Sequence, residues 1–287
     1  MERIIQDKIQ QSYSKLTHSQ RAVSHFVLEH TDEVPFLSSS LLAHKVGVSD
    51  ATVTRFCTAL GYSGYADFQK DMQRCLQMKL APFERMEKSA RGEKENIYRQ
   101  IYELDIQNLK ETMDGISLSK LEEAIRLLSH SQRIFIIGLR SSFALAYLAH
   151  HLLTRILPKA LLLDTAQGFL FDPVIDVGPK DVLLAISFPR YAKGTLQLAQ
   201  FSKNNGCRII AITDSILSPL AQISDLILPV KISSKSFFSS YTAVVYIINC
   251  IITRLSVINH KKSVEALKKI ESNLRQSDTW VMKPSQD

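Results

Sequence analysis

The sequence predicts two domains: an all-α domain over residues 1–79 and, after a linker over 80–96, a three-layer α/β domain with a parallel sheet over 97–287. Three observations predict this. Up to Leu128 the apolar residues recur at helical spacing. From Arg133 on, short continuously apolar runs alternate with helical patterns, which implies a parallel sheet wrapped by helices. Between the two regimes Leu80-Ala81-Pro82 breaks the pattern, and Phe83 to Asn96 is dense in charges of both signs with a glycine at 92.

In the first domain, MERIIQDKIQQ is a polar amphipathic start with no basic region followed by an apolar run, so no cleavable signal is expected. Leu16, Ala22, Val23, Phe26 and Val27 mark a helix over Lys15–His30, started by Thr17 or Ser19. Pro35 and the serines at 38–40 separate it from Ser39–Leu60, which reads as two short helices joined by a tight turn. Ala43 lets the helices cross closely. Gly47 sits where the first helix stops, a place where φ > 0 is cheap only for glycine. Val53 faces back into the pair; Leu42, Val46, Val48 and Phe56 complete the apolar face, and Ser49 can cap the second helix.

That is the layout of a DNA-binding helix-turn-helix, whose second helix enters the major groove N-terminus first. Ser49, Asp50, Thr52, Thr54 and Arg55 cannot all face the core, and short hydroxyls and an arginine there can contact phosphate or base edges. An ordinary two-helix corner with a solvated face fits the same spacing. Gly61-Tyr62-Ser63-Gly64-Tyr65, leading into a helix over Asp67–Lys79 with Phe68, Met72, Cys75 and Leu76 inward, closes a small helical domain and favours DNA binding.

In the second domain Ile97, Ile101, Leu104, Ile106, Leu109 and Met113 mark a long helix ending near Gly115, and Ser119 with Glu122 reads as a capping box for the next, to about Leu128. Strands are expected at 133–138, 160–163, 181–187, 207–213 and 226–230, with helices at 142–157, 193–205, 219–222, 237–257 and 261–275. The apolar run Ala243–Ile252 is too short to span a bilayer and reads as a buried helix. In such sheets ligands bind at the carboxyl ends of the strands, where helix N-termini offer N–H groups to anions. Gly138-Leu139-Arg140-Ser141-Ser142 and Ser187-Phe188-Pro189-Arg190-Tyr191 are the two loops that qualify. Together they make a candidate pocket for a small anion; ordinary βα turns with capping serines and surface arginines fit the same spacing.

Length and composition bound the function classes. With 287 residues, 45% of them hydrophobic, the chain has room for one large domain or two modest ones. Cys57, Cys75, Cys207 and Cys250 lack metal-ligand spacing, which argues against a zinc site or a disulfide framework and for a reducing cytoplasm. The net charge of +7 is weak evidence for nucleic acid, because residues 1–79 hold 9 basic against 8 acidic residues, whereas 231–287 hold 9 against 4. Phosphate neutralisation in the first domain therefore depends on a few placed residues such as Lys45, Arg55 and Lys70. The lysines at 261, 262, 268 and 269 and Arg275 read as a solvated helix face.

Leu42 to Gln69, LAHKVGVSDATVTRFCTALGYSGYADFQ, resembles the helix-turn-helix of the RpiR-type (MurR/RpiR) bacterial transcriptional regulators. Val48 through Gly64 match that family's run V-S-x-A-T-V-x-R-F-x-x-x-L-G-Y-x-G without a gap. From about Ile97 to Arg254 the chain resembles the sugar-isomerase (SIS) domain that follows in that family, notably at Ile209-Ile210-Ala211-Ile212-Thr213-Asp214 and Ser218-Pro219-Leu220-Ala221. The resemblance implies a cytoplasmic, dimeric or tetrameric regulator that binds palindromic operator DNA and senses a phosphosugar. It also implies that Ser142 and Ser187 hold phosphate. Two departures stand out. The family's first loop, G-x-G-x-S, has Arg140 at its second glycine. The second loop, S-x-S-G-x-T, reads Ser187-Phe188-Pro189-Arg190-Tyr191-Ala192, so its second serine, glycine and threonine are all replaced. Arginine binds phosphate or carboxylate bidentately, so an anion still fits.

The function expected is a transcriptional regulator that reads DNA through Lys45, Ser49, Asp50, Thr52, Thr54 and Arg55 and takes a small anionic effector at Arg140, Ser141, Ser142, Ser187 and Arg190, with no metal, cofactor or catalytic residue. A sugar-phosphate isomerase needs a base. The usual acidic position aligns with Gly194, and His150 and His151 read better as packed or solvated. A SIS domain kept only for dimerisation is the remaining alternative, and a nucleotide-binding enzyme would want a Gly-rich phosphate loop that G-L-R-S-S is not.

Overall fold

A computed structural model describes residues 2–279 except 32, 80–82, 84, 87–95, 165–169 and 278, and describes the backbone alone at 2–4, 6, 7 and 74–79. The expected linker falls largely outside the described residues, as do the side chains of Cys75 and Leu76. The chain forms two compact units, Met1–Gly92 and Glu93–Asp287.

The first unit is helical: α1 (Glu2–Ser12), α2 (His18–Glu29), α3 (Ser39–Val46), α4 (Asp50–Ala59) and α5 (Tyr65–Lys79). Thr17 starts α2 through a capping box: its hydroxyl accepts from Gln20 N at 3.4 Å, and Gln20 Oε1 accepts from Thr17 N at 2.9 Å. Gly47 takes φ +75°, and Val48 N closes back onto Ala43 O at 2.9 Å. Leu42, Val53, Phe56 and Phe68 are fully buried, with Phe68 edge-on to Phe56 and Tyr62 at 5.9 and 5.4 Å. Each such side chain contributes roughly 1.5–3 kcal/mol.

The second unit runs α6 (Ile97–Gly115), α7 (Leu118–His130), β1 (Ile134–Ile137), α8 (Phe143–Thr154), β2 (Ala160–Leu163), β3 (Val182–Ile186), α9 (Lys193–Asn204), β4 (Arg208–Thr213), α10 (Pro219–Ile223), β5 (Leu226–Pro229), α11 (Thr242–Ile258) and α12 (His260–Gln276). The strands form one parallel sheet in the order β2-β1-β3-β4-β5. Alternate residues feed two cores. Ile134, Ile136, Leu184 and Ile212 pack with α7, α8 and α11; Phe135, Ile137, Leu183 and Ile209 pack with α9 and α10. Among the described residues no single helix is long and apolar enough to cross a membrane.

Three local expectations are corrected. The capping box at Ser119 and Glu122 does not form. The helix starts earlier with Ser117 as its N-cap, Ser119 Oγ lies 3.0 Å from Ser117 Oγ, and Glu122 instead accepts from Arg254 Nε at 2.8 Å. The helix expected from 237 begins at Thr242, and polar side chains of α6 hold the preceding non-helical strap. Asn108 pairs with Ser233 N and O at 3.1 and 2.7 Å, Thr112 Oγ1 accepts from Lys231 N at 2.9 Å, and Asp105 accepts from Thr242 Oγ1 at 2.9 Å. Asn108 and Thr112 are thus the buried residues of α6, while its Ile101 stays exposed.

Candidate nucleic-acid interface and effector site

Three residues, Gly47 to Ser49, separate α3 from α4, the spacing of a helix-turn-helix. Ser49 caps α4, accepting from Thr52 N at 3.3 Å with its hydroxyl 2.9 Å from that of Thr52. Burial of Val53, Phe56 and Cys57 turns the opposite face outward, so Asp50, Thr54, Arg55 and Thr58 are exposed. Thr58, one turn beyond Thr54, was not singled out from the sequence. The other expected residues also have partners within the unit, Thr54 Oγ1 donating to Asp50 O at 3.2 Å. Asp50 accepts from Ser40 Oγ at 2.7 Å, Arg55 Nε donates to Ala51 O at 3.2 Å, and Lys45 pairs with Glu33 at 2.6 Å. The Lys45–Glu33 pair is solvent-screened and weak. Burial pushes the Cys57 thiol up to about 12, so it stays a neutral core group.

In the second unit the strand order reverses at β1, with β2 on one side and β3 on the other. In an open parallel sheet such a reversal opens a crevice beyond the carboxyl ends of the two strands that flank it. The loops that leave β1 and β3 there are the two singled out from the sequence. Gly138 allows the first to turn tightly: a Cβ on it would fall 2.6 Å from Ser142 O. The loops adjoin, since a Cβ on Gly194, in the first turn of α9, would fall 2.8 Å from Leu139 Cδ1.

Both loops carry an arginine in the left-handed region, Arg140 at φ +59° and Arg190 at φ +69°. A side chain there costs roughly 1–2 kcal/mol relative to the ordinary conformation. Both arginines are exposed, and among the described residues neither guanidinium has a hydrogen bond or ion pair. Ser142 and Ser187 are 5% and 3% exposed, and among the described residues their hydroxyls have no partner. Ser141 is exposed and accepts from Tyr241 Oη at 2.8 Å. The helices that follow, α8 and α9, start without a side-chain cap, whereas α3, α4 and α10 each have one. Serine hydroxyls and an arginine thus lie on each of the two adjoining loops, residue types suited to an anion.

The structure adds Tyr241 and several contacts that the sequence did not mark. Tyr241 Oη reaches Ser141 while its ring packs against Phe188 at 5.6 Å, joining the strap before α11 to both loops. Tyr191 Oη donates to Asp214 at 2.8 Å, across 23 residues of chain. His150 lies elsewhere. It approaches the backbone of Ala160, at the amino end of β2, and burial lowers its pKa.

The opposite end of the sheet is charged and paired. Asp181 is buried; Arg133 donates to it from Nη2 at 2.7 Å and also holds Asp176 at 2.9 Å. Burial raises the Asp181 pKa, but hydrogen bonds from Arg133 and Gly178 N outweigh it and hold the group below the ordinary carboxylate range. Asp225 accepts from Lys203 at 2.5 Å and from Ile209 N at 2.8 Å, and is likewise lowered against its burial.

A family model for the helix-turn-helix domain of the rpiR family matches residues 4–79, and one for the SIS domain matches 127–254. The HTH-type transcriptional regulator HexR of Escherichia coli is 24% identical over 275 residues, 94% of each chain. HexR of Pseudomonas aeruginosa is 25% identical over 227 residues, 79% of this chain and 78% of its own. Two solved structures are similar. The sugar isomerase domain of an RpiR transcription factor from Sphaerobacter thermophilus has TM-score 0.58 and 20% identity, covering 62% of this chain and 99% of its own. The NanR protein of Vibrio vulnificus, complexed with ManNAc-6P, has TM-score 0.58 and 18% identity, covering 95% and 98%. At these identities the structures establish the fold.

Proposed function

The chain belongs to the rpiR family of helix-turn-helix transcriptional regulators that carry a SIS domain, and on that premise we propose that it is a homo-oligomeric, cytoplasmic operator-binding protein controlled by a small anionic effector, a sugar phosphate or a related acid. The observation that carries the effector reading is the matched pair of loops. Each has an arginine in the left-handed region where the family pattern has glycine, and each keeps the pattern's serine, Ser142 or Ser187, as a buried residue. Strain of this kind persists where the surroundings hold it for a use. That the NanR neighbour takes a phosphosugar supports the same class.

The fold is assigned three roles by residue range: DNA binding to 1–79, connection to 80–96, and effector binding with oligomerisation to 97–287. On the DNA side Ser49, Asp50, Thr52, Thr54, Arg55 and Lys45 contact operator, with Asp50 and Lys45 exchanging their present partners. Half-sites on one DNA face lie about one helical turn, or a multiple of it, apart. The effector favours one arrangement of the oligomer and thereby sets the separation of the reading helices, a coupling free energy of the usual 1–3 kcal/mol. An isomerase is disfavoured because it needs a base, and the usual acidic position is Gly194 in this chain.

The test is binding of the full-length protein to operator DNA selected from a random pool. Thr52→Ala and Arg55→Ala should each weaken binding by roughly 1–3 kcal/mol with the fold intact. Ser142→Ala with Ser187→Ala should leave DNA binding intact and blunt the effector response. Unchanged DNA affinity in both α4 variants would refute the reading helix; a normal effector response in the double serine variant would refute the pocket.

A further inference from the structure

We propose that Asp214 is a positioning residue for the effector loop: through the Tyr191 hydroxyl it holds the left-handed turn at Arg190 in the form that receives an anion. The inference rests on the anion-site reading above.

Asp214 is the first residue after β4, at the effector end of the sheet, and is only 2% exposed. A buried carboxylate beside an anion site is a poor ligand contact, because its charge opposes the ligand's. Its geometry points to another use. It accepts from Tyr191 Oη at 2.8 Å and from Thr213 Oγ1 at 3.3 Å. Thr213 Oγ1 lies 3.0 Å from Ser218 Oγ, which itself caps α10 by accepting from Ala221 N at 3.0 Å. The carboxylate therefore stands on a fixed base built from β4 and α10.

The loop is anchored to that base on both sides of its strained residue. Before Arg190, Ser187 N donates to Ile212 O at 3.2 Å. After it, the Tyr191 side chain reaches Asp214. Pro189 restricts the backbone between the anchors. A left-handed arginine relaxes unless its neighbours over-determine it, and the Tyr191–Asp214 bond is a side-chain contact that does so directly beside it. Removing it would free the turn and leave the two-sided donor set incomplete.

The experiment uses the full-length protein and inorganic phosphate as probe, titrated by calorimetry at constant ionic strength against chloride, with melting of the unliganded protein followed in parallel. Tyr191→Phe removes one oxygen and should weaken phosphate about tenfold, the effect of losing a hydrogen bond to a charged group. Asp214→Ala removes that bond together with the Thr213 contact and should weaken phosphate at least as much, and adding Tyr191→Phe to it should weaken phosphate no further, since the Tyr191–Asp214 bond is already gone. Asp214→Asn keeps an acceptor for Tyr191 and sheds the charge, so affinity should hold or rise. A merely structural contact would lower the melting temperature of all three variants and leave phosphate affinity of the folded protein unchanged. That result overturns the proposal, as does an Asn variant as weak as the Ala one. If wild type takes up no phosphate, or Arg140→Ala/Arg190→Ala binds it as tightly as wild type, the anion site itself fails. Phosphate binding by wild type that Tyr191→Phe leaves untouched sinks only the role of Asp214.

Discussion

At the amino end of the parallel sheet Arg133 is clasped by Asp181 and Asp176, and Asp225 holds Lys203. At the carboxyl end Arg140 and Arg190 stand on left-handed backbone, with no partner among the described residues and the buried residues Ser142 and Ser187 on the same loops. The same residue type serves two purposes at the two ends. Where a charge holds structure, the chain supplies its counter-charge, because an unpaired buried carboxylate is costly. At Arg140 and Arg190 no ion pair forms among the described residues, and under the proposed reading the left-handed backbone there places charge for a ligand.

The comparison breaks most visibly in stability. Arg133→Ala strands the buried Asp181 carboxylate and should cost about 3 kcal/mol in denaturant unfolding, whereas Arg140→Ala and Arg190→Ala should stay within about 0.5 kcal/mol of wild type without ligand. Equal losses at both ends would erase the distinction. Anion binding should show the reverse order. Each carboxyl-end variant should weaken a bound phosphate group by about 1.5–3 kcal/mol, read by calorimetry. Acid sharpens the contrast. Because the folded Asp181 and Asp225 pKa values are lowered, their stabilisation is present above the unfolded value and lost as the pH falls through the folded one, so unfolding below about pH 4 should be less steep in Asp181→Asn. The smallest effect is the most diagnostic of strain. Arg140→Gly and Arg190→Gly should leave unliganded stability unchanged or raise it by up to about 1 kcal/mol, because glycine enters the left-handed region freely.

Much of this architecture was legible in the chain because it is written in local signals. The switch from helical spacing to short apolar runs after Leu128 gave the two fold regimes, and all five strands lie where those runs are. Thr17 with Gln20 and Gly47 with Val48 act within a few residues of themselves, so Thr17 or Ser19 as the start of α2 was a choice the structure resolves for Thr17. Ser119 with Glu122 fit the same capping pattern and failed, because Glu122 found Arg254, 132 residues away. The strap before α11 was misread as helix for the same reason: Asp105, Asn108 and Thr112 hold it from over 100 residues earlier. The candidate effector loops were visible as strand-to-helix turns carrying serine and arginine. The Tyr191–Asp214 contact and the strand reversal at β1 were not, since neither leaves a periodic or adjacent signal.

The central proposal, that Arg140 and Arg190 at the carboxyl end of this sheet receive an anionic ligand, is tested most directly by thermal shift of the full-length protein against matched sugars, sugar phosphates and sugar acids, in wild type and in Arg140→Ala/Arg190→Ala. A ligand at 100 times its dissociation constant adds about 2.7 kcal/mol of stability. The account predicts such a shift with at least one anionic member, none with its uncharged counterpart, and its loss in the double arginine variant. A shift that ignores charge, or one that survives the loss of both arginines, would contradict it.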